Sequence, residues 1–174
     1  MEHRTGTHLA CGSGMEQMLA LSSHLPRQVF EPGEVVVREG EAGAGLWVLE
    51  SGALRVRKAG IEVNSITRPG AIVGEISALL RSSYSATVEA TARSVLRHAA
   101  DAQALMDSHP TITRLMAEGL AERLNYVTSY LADLKAQYGD APGLTMVSAV
   151  LRELAERQGE RARPGSARDP QPDY

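Results

Sequence analysis

The spacing of apolar residues changes along this chain. From Gln28 to Gly74 they come in short runs parted by glycines: Val35-Val36-Val37, Leu46-Trp47-Val48-Leu49, Leu54-Arg55-Val56 and Ile61-Glu62-Val63. Each run suits a strand, and Leu54-Arg55-Val56-Arg57 alternates as a half-buried strand does. Between them lie Pro32-Gly33, Gly40 to Gly45, Ser51-Gly52, Ala59-Gly60 and Pro69-Gly70. Strands that return every ~8–12 residues with turn signals between them predict a β-sandwich or β-barrel. Two more strands are expected at 86–90 and 93–98.

After Ala99 the period becomes helical. Asp101 is placed to cap a helix running through Leu105 and Met106. Pro110 stands in the first turn of a longer helix, 109–138, where its missing N–H costs nothing. Leu120, Leu124, Val127, Leu131, Leu134 and Tyr138 follow at spacings of 4, 3, 4, 3 and 4. This heptad seam, flanked by Glu118, Glu122, Arg123, Asp133 and Lys135, predicts a homodimer through a two-stranded coiled coil. The other reading is a helix packed on its own domain. Gly139 to Gly143 breaks the helix, and a second amphipathic helix is expected at 144–158. Ahead of the strands, a short helix over 15–22 can bury Met15, Met18, Leu19 and Leu21. The ends, 1–14 and 159–174, read as a mobile N-terminus and a disordered tail. The domain proper is then 15–108.

Composition removes several classes. The 174 residues suffice for one domain and some appended helix. A net charge of −3 lacks the basic excess of a nucleic-acid binder. The 36 residues after Tyr138 are too few for a winged helix-turn-helix, so DNA is not an expected partner. Cys11 is the only cysteine, which suits a reducing cytoplasm. No apolar run is long enough to span a bilayer and no signal peptide is evident, so a cytoplasmic protein without a membrane partner is expected. His3, His8, His24, His98 and His109 lack metal-site spacing, so no metal is expected. Gly40 to Gly45 precedes a strand, not a helix, which makes it a turn and not a dinucleotide loop. With no Walker loop or nucleophile elbow either, a non-enzyme is expected.

One stretch carries candidate chemistry. Ala71-Ile72-Val73 reads as a strand, Gly74-Glu75 as a turn into one short apolar helical turn, and Arg81 to Ser85 as a polar loop before Ala86-Thr87-Val88. A glycine lets backbone approach a ligand, and free N–H groups at a helical start favour an anion. A carboxylate there needs another task, such as accepting hydrogen bonds from a sugar hydroxyl.

Gly74-Glu75-Ile76 and Tyr84-Ser85-Ala86-Thr87-Val88 resemble the two ends of the phosphate-binding cassette of the cyclic nucleotide-binding domain family. That family includes the bacterial catabolite activator protein and the regulatory subunits of protein kinase A. Glu31-Pro32-Gly33-Glu34, Glu39-Gly40-Glu41 and Leu46 to Gly52 extend the resemblance over Gln28 to Leu134. The resemblance implies an α+β, mainly β chain. Its centre is a cyclic nucleotide-binding β-roll (a double-stranded β-helix or jelly roll) flanked by helices, with a long C-terminal dimerisation helix and without the helix-turn-helix. It also implies a ligand-binding set. Glu75 would bind a ribose hydroxyl beside Gly74, Ile76 and Ser77, while Ser85 and Ala86 would meet the cyclic phosphate. Thr128 and Ser129, on the long helix, match a Thr-Ser pair that reads the purine in the catabolite activator protein, or are two exposed hydroxyls.

The sequence departs from the family at Tyr84, where the phosphate-binding arginine is expected. A charge-assisted hydrogen bond is worth about 1.5–3 kcal/mol, so its loss should weaken binding about 10- to 100-fold. Arg81 either swings in as a substitute or is a solvated loop residue. The expected ligand is cAMP ahead of cGMP, sensed by a homodimer that signals to an unknown protein partner. The alternative is a roll without ligand, acting as a dimeric adaptor.

Overall fold

The computed structural model describes residues 11–138 and 145–156. The chain divides into two compact units, one ending at Glu118 and one beginning at Gly119.

The first unit opens with α1 (Cys11–Leu21). Eight strands follow: β1 (Arg27–Phe30), β2 (Val35–Val37), β3 (Leu46–Ser51), β4 (Leu54–Lys58), β5 (Ile61–Ile66), β6 (Ile72–Val73), β7 (Thr87–Ala90) and β8 (Ser94–Ala99). Helix α2 (Glu75–Leu80) lies between β6 and β7. Then come α3 (Ala102–Ser108) and α4 (Pro110–Tyr138), whose first turns belong to this unit. The strands form two antiparallel four-stranded sheets, ordered β1-β8-β3-β6 and β2-β7-β4-β5.

The first sheet is buried on both faces, which is why β3 reads as the unbroken run Leu46 to Leu49. Leu46 and Val48 pack with Met18, Leu105, Met106, Ile112 and Met116 from the helices. Trp47 and Leu49 point the other way, into a core between the sheets with Phe30, Leu54, Val73, Val88 and Leu96. The strand period of two thus splits one run between two cores.

The element pattern is the mainly β roll with flanking helices that the sequence led us to expect. Helix α3 is capped as expected, the Ala104 N–H donating to Asp101 Oδ1 at 2.9 Å. Two elements differ. β1 has no counterpart among the expected strands, because three of its four residues are exposed and carry no apolar pattern. Helix α1 starts at Cys11, not at position 15, so positions 11–14 of the expected mobile segment are helical. The low helix propensity of Gly12 and Gly14 is outweighed by packing: Met18 is fully buried, and a Cβ on Gly14 would lie 3.6 Å from Leu115 Cδ2. Residues 1–10, the expected helix break at 139–143 and the expected tail at 159–174 lie outside the described residues.

The second unit comprises the rest of α4 and α5 (Thr145–Glu156). On the expected seam Leu120, Leu131 and Leu134 are half-buried, while Leu124 and Val127 stay 54% and 48% exposed. Among the described residues no helix is long and apolar enough to cross a membrane.

Candidate functional site

Strand β6 is followed by Gly74, whose left-handed backbone (φ 93°, ψ 4°) turns the chain into α2. Alanine would not fit there. Its Cβ would stand 2.8 Å from the Gly45 carbonyl oxygen, in a conformation L-residues avoid. Glu75 opens α2 and is buried, 6% exposed, and Ser77 is buried beside it; Ile76 is half-buried. A carboxylate at the first position of a helix has the favourable end of the helix dipole. Arg81 closes α2 in the left-handed region (φ 53°), its N–H bonded to the Ser77 carbonyl.

The loop then brings Tyr84, Ser85 and Ala86 to β7, all half-buried. Backbone hydrogen bonds fix Tyr84: its N–H donates to Glu41 O at 3.0 Å, and its carbonyl accepts from Gly40 N at 2.9 Å. The phenol donates to the Gly45 carbonyl at 3.3 Å. Two glycines make room for its ring and a third, Gly45, stands beside its hydroxyl. A Cβ on Gly43 would fall 2.5 Å from Tyr84 Cζ, one on Gly74 would fall 3.2 Å from Cε1, and one on Gly45 would fall 3.4 Å from the hydroxyl. Tyr84 therefore fills a slot lined by backbone, between the 40–45 loop and the start of α2. Beyond Gly45 stands His98, whose ring stacks on Trp47 with centroids 3.8 Å apart. Burial lowers the His98 pKa below its ordinary value of 6.5.

The remaining candidates separate. Arg81 is exposed and lines a cavity of about 690 Å³ with Gly43, Ser77, Ser83, Asp101 and Gln103; Glu75, Ser85 and Ala86 do not line it. The basic side chain that reaches Ser85 comes from elsewhere: Lys58, at the end of β4, donates to the Ser85 carbonyl at 2.5 Å. Lys58 also pairs with Glu39 at 3.1 Å. Glu39 in turn accepts the Ala59 N–H at 2.8 Å, and that bond, followed by Lys58, lowers its pKa. The sequence reading missed Lys58. Its only signal was a cation on the inward alternation of β4, at the strand's exposed end. Thr128 and Ser129 lie on α4 in the second unit; the Thr128 hydroxyl donates to the Leu124 carbonyl at 2.7 Å and Ser129 is exposed. Among the described residues no cluster of histidine, cysteine and carboxylates could hold a metal.

Two sheets closed over an apolar core, with a glycine-turned helix inserted before β7, define a β-roll. Residues 27–109 match the family described as the cyclic nucleotide-binding domain. The chain is 36% identical over 72 residues to a cAMP-dependent protein kinase regulatory subunit of Yarrowia lipolytica, covering 41% of this chain and 19% of that protein. It is 35% identical over 74 residues to a cGMP-dependent protein kinase of Toxoplasma gondii, covering 42% and 7%. It thus spans less than a quarter of either relative. The fold is also that of the Thermus thermophilus catabolite activator protein, with a TM-score of 0.53 at 23% identity over 90% of this chain and 89% of that one.

Proposed function

We propose that the chain is a homodimeric cytoplasmic regulator that binds a cyclic nucleotide, cAMP ahead of cGMP, and passes the bound state to a separate protein without catalysing a reaction. Glu75 carries the reading. It is buried at the start of α2, where the family resemblance puts the ribose-binding acid. Gly74, Ser85 and Ala86 complete the cassette, and the two kinase-related relatives, named for cAMP and cGMP, support the ligand class. The exposed Leu124 and Val127 on α4 support a second copy as partner.

The test is calorimetric titration of the purified protein with cAMP and then cGMP, beside Glu75→Ala. The expected result is saturable binding with one site per chain, weakened by at least about tenfold in the variant. Absence of heat and of thermal stabilisation at millimolar nucleotide would sink the reading. One observation favours the alternative, a ligand-free dimeric adaptor: the Tyr84 ring fills its glycine-lined slot, as a side chain replacing a lost ligand would. The same titration decides between them.

A further inference from the structure

The departure at position 84 removes the expected cation, and the structure brings another, Lys58, to the neighbouring residue Ser85. Lys58 ends β4, one step beyond the Arg57–Thr87 pair, and so stands across the sheet from the residues that precede β7. Its ammonium lies 2.5 Å from the Ser85 carbonyl and 3.1 Å from Glu39 Oε1.

This placement is built from three segments. The Glu39 carboxylate accepts the Ala59 N–H at 2.8 Å, and the Glu39 N–H donates to Thr87 Oγ1 at 3.0 Å. The turn after Lys58 is held by Arg57, which donates to the Gly60 carbonyl at 3.1 Å and 3.3 Å, and it takes Ala59 and Gly60 through positive φ. The lysine side chain remains 56% exposed, and an ammonium has three donors, of which this arrangement uses two. A flexible stem can turn such a point charge onto a phosphate without moving the sheet. Arg81 is held differently, at the left-handed end of α2 beside a cavity that Ser85 does not line.

We propose that Lys58 is the cation that meets the phosphate of the bound cyclic nucleotide, in place of an arginine at position 84, and that Glu39 holds it in reserve until the anion arrives. The inference rests on the ligand reading of the preceding section. It makes the phosphate contact a single mobile point charge carried by a strand end, not a bidentate group carried by the cassette.

The experiment is titration of cAMP and cGMP into the full chain and into Lys58→Met, Lys58→Arg and Glu39→Gln, each confirmed folded by circular dichroism and thermal melting. Lys58→Met should weaken binding about 10- to 100-fold, and Lys58→Arg should restore most of it. Glu39→Gln, which frees the ammonium from a surface ion pair, should tighten binding by up to about fivefold. If Lys58 only braced the turn, Glu39→Gln would loosen binding as much as Lys58→Met, and that result overturns the proposal. So does Lys58→Met binding within about twofold of the unaltered protein. An unaltered protein that binds neither nucleotide overturns the ligand reading itself and this inference with it.

Discussion

The side chain at position 84 shows how one residue decides what a cassette can do. An arginine there would extend a charge; the tyrosine extends a ring, and the ring needs space that glycine at 43 and 74 leaves open. Gly45 also borders His98. A Cβ on Gly45 would come within 2.7 Å of His98 Nε2, and Trp47 covers one ring face. Burial favours the neutral imidazole, so its pKa is lower in the folded chain than in the unfolded one. The sign follows. Above the ordinary value of 6.5 both states are neutral and nothing is lost. As the pH falls below it the unfolded chain takes up a proton that the folded chain resists, and stability drops. Urea unfolding between about pH 5 and pH 8 should therefore show a loss toward acid that His98→Leu diminishes. An unchanged slope in the variant would mean that other groups set the pH dependence.

At the scale of elements, α1 is the piece whose attachment can be tested on its own. Arg97 of β8 is buried, pairs with Glu50 at 2.8 Å, and donates to the Leu19 carbonyl and to Ser22 Oγ on the far end of α1. Near the other end the helix lies directly on the turn before β6. A Cβ on Gly70 would stand 2.2 Å from the Met15 carbonyl oxygen, and Gly70 has φ +89°. Gly33 has a similar φ, +91°, with nothing within 4 Å. Alanine at either position pays a left-handed penalty of about 1–2 kcal/mol, but only Gly70→Ala must also push α1 away. Thermal melts should rank Gly70→Ala well below Gly33→Ala, and α1 amides should exchange faster only in the former. Equal melting temperatures would show that α1 contributes little to the fold.

These contacts also mark what the sequence could disclose. Strand β3, the capped α3 and the proline-led α4 were legible because their signals are local: a run, a cap, a first-turn proline. The strand, glycine turn and short helix from Ile72 to Leu80 were legible because their signals lie within one short stretch. Strand β1 was not, since its partner is β8 and its own residues are mostly exposed. Lys58 and the Tyr84 slot were hidden for a similar reason. Lys58 meets Ser85 across 27 positions, and Tyr84 meets Gly45 across 39, so both depend on strand register that no local pattern states.

For the whole molecule, the question is what covers the seam of α4. Leu124 and Val127 are spaced three apart on the heptad pattern, and both stay about half exposed in the single chain. Leu120, Leu131 and Leu134 continue the same stripe. Covering such a stripe from water is favourable, and fully burying one Leu or Val side chain is worth about 1.5–3 kcal/mol. A second copy can do this symmetrically, each seam packing on its twin. A cyclic nucleotide regulator has a use for that arrangement, because two ligand sites can then bias one shared helix pair. Replacing both residues, Leu124→Glu with Val127→Glu, would set like charges at the seam and leave the β-roll untouched. Sedimentation velocity at micromolar concentration should find the unaltered chain dimeric and the double variant monomeric, a loss of at least about 100-fold in association. The monomer should still melt cooperatively, because among the described residues the two cores of the first unit are built from residues up to Met116. A double variant that remains dimeric would place the contact on another surface, and an unaltered chain that is monomeric would leave the stripe to the separate protein partner.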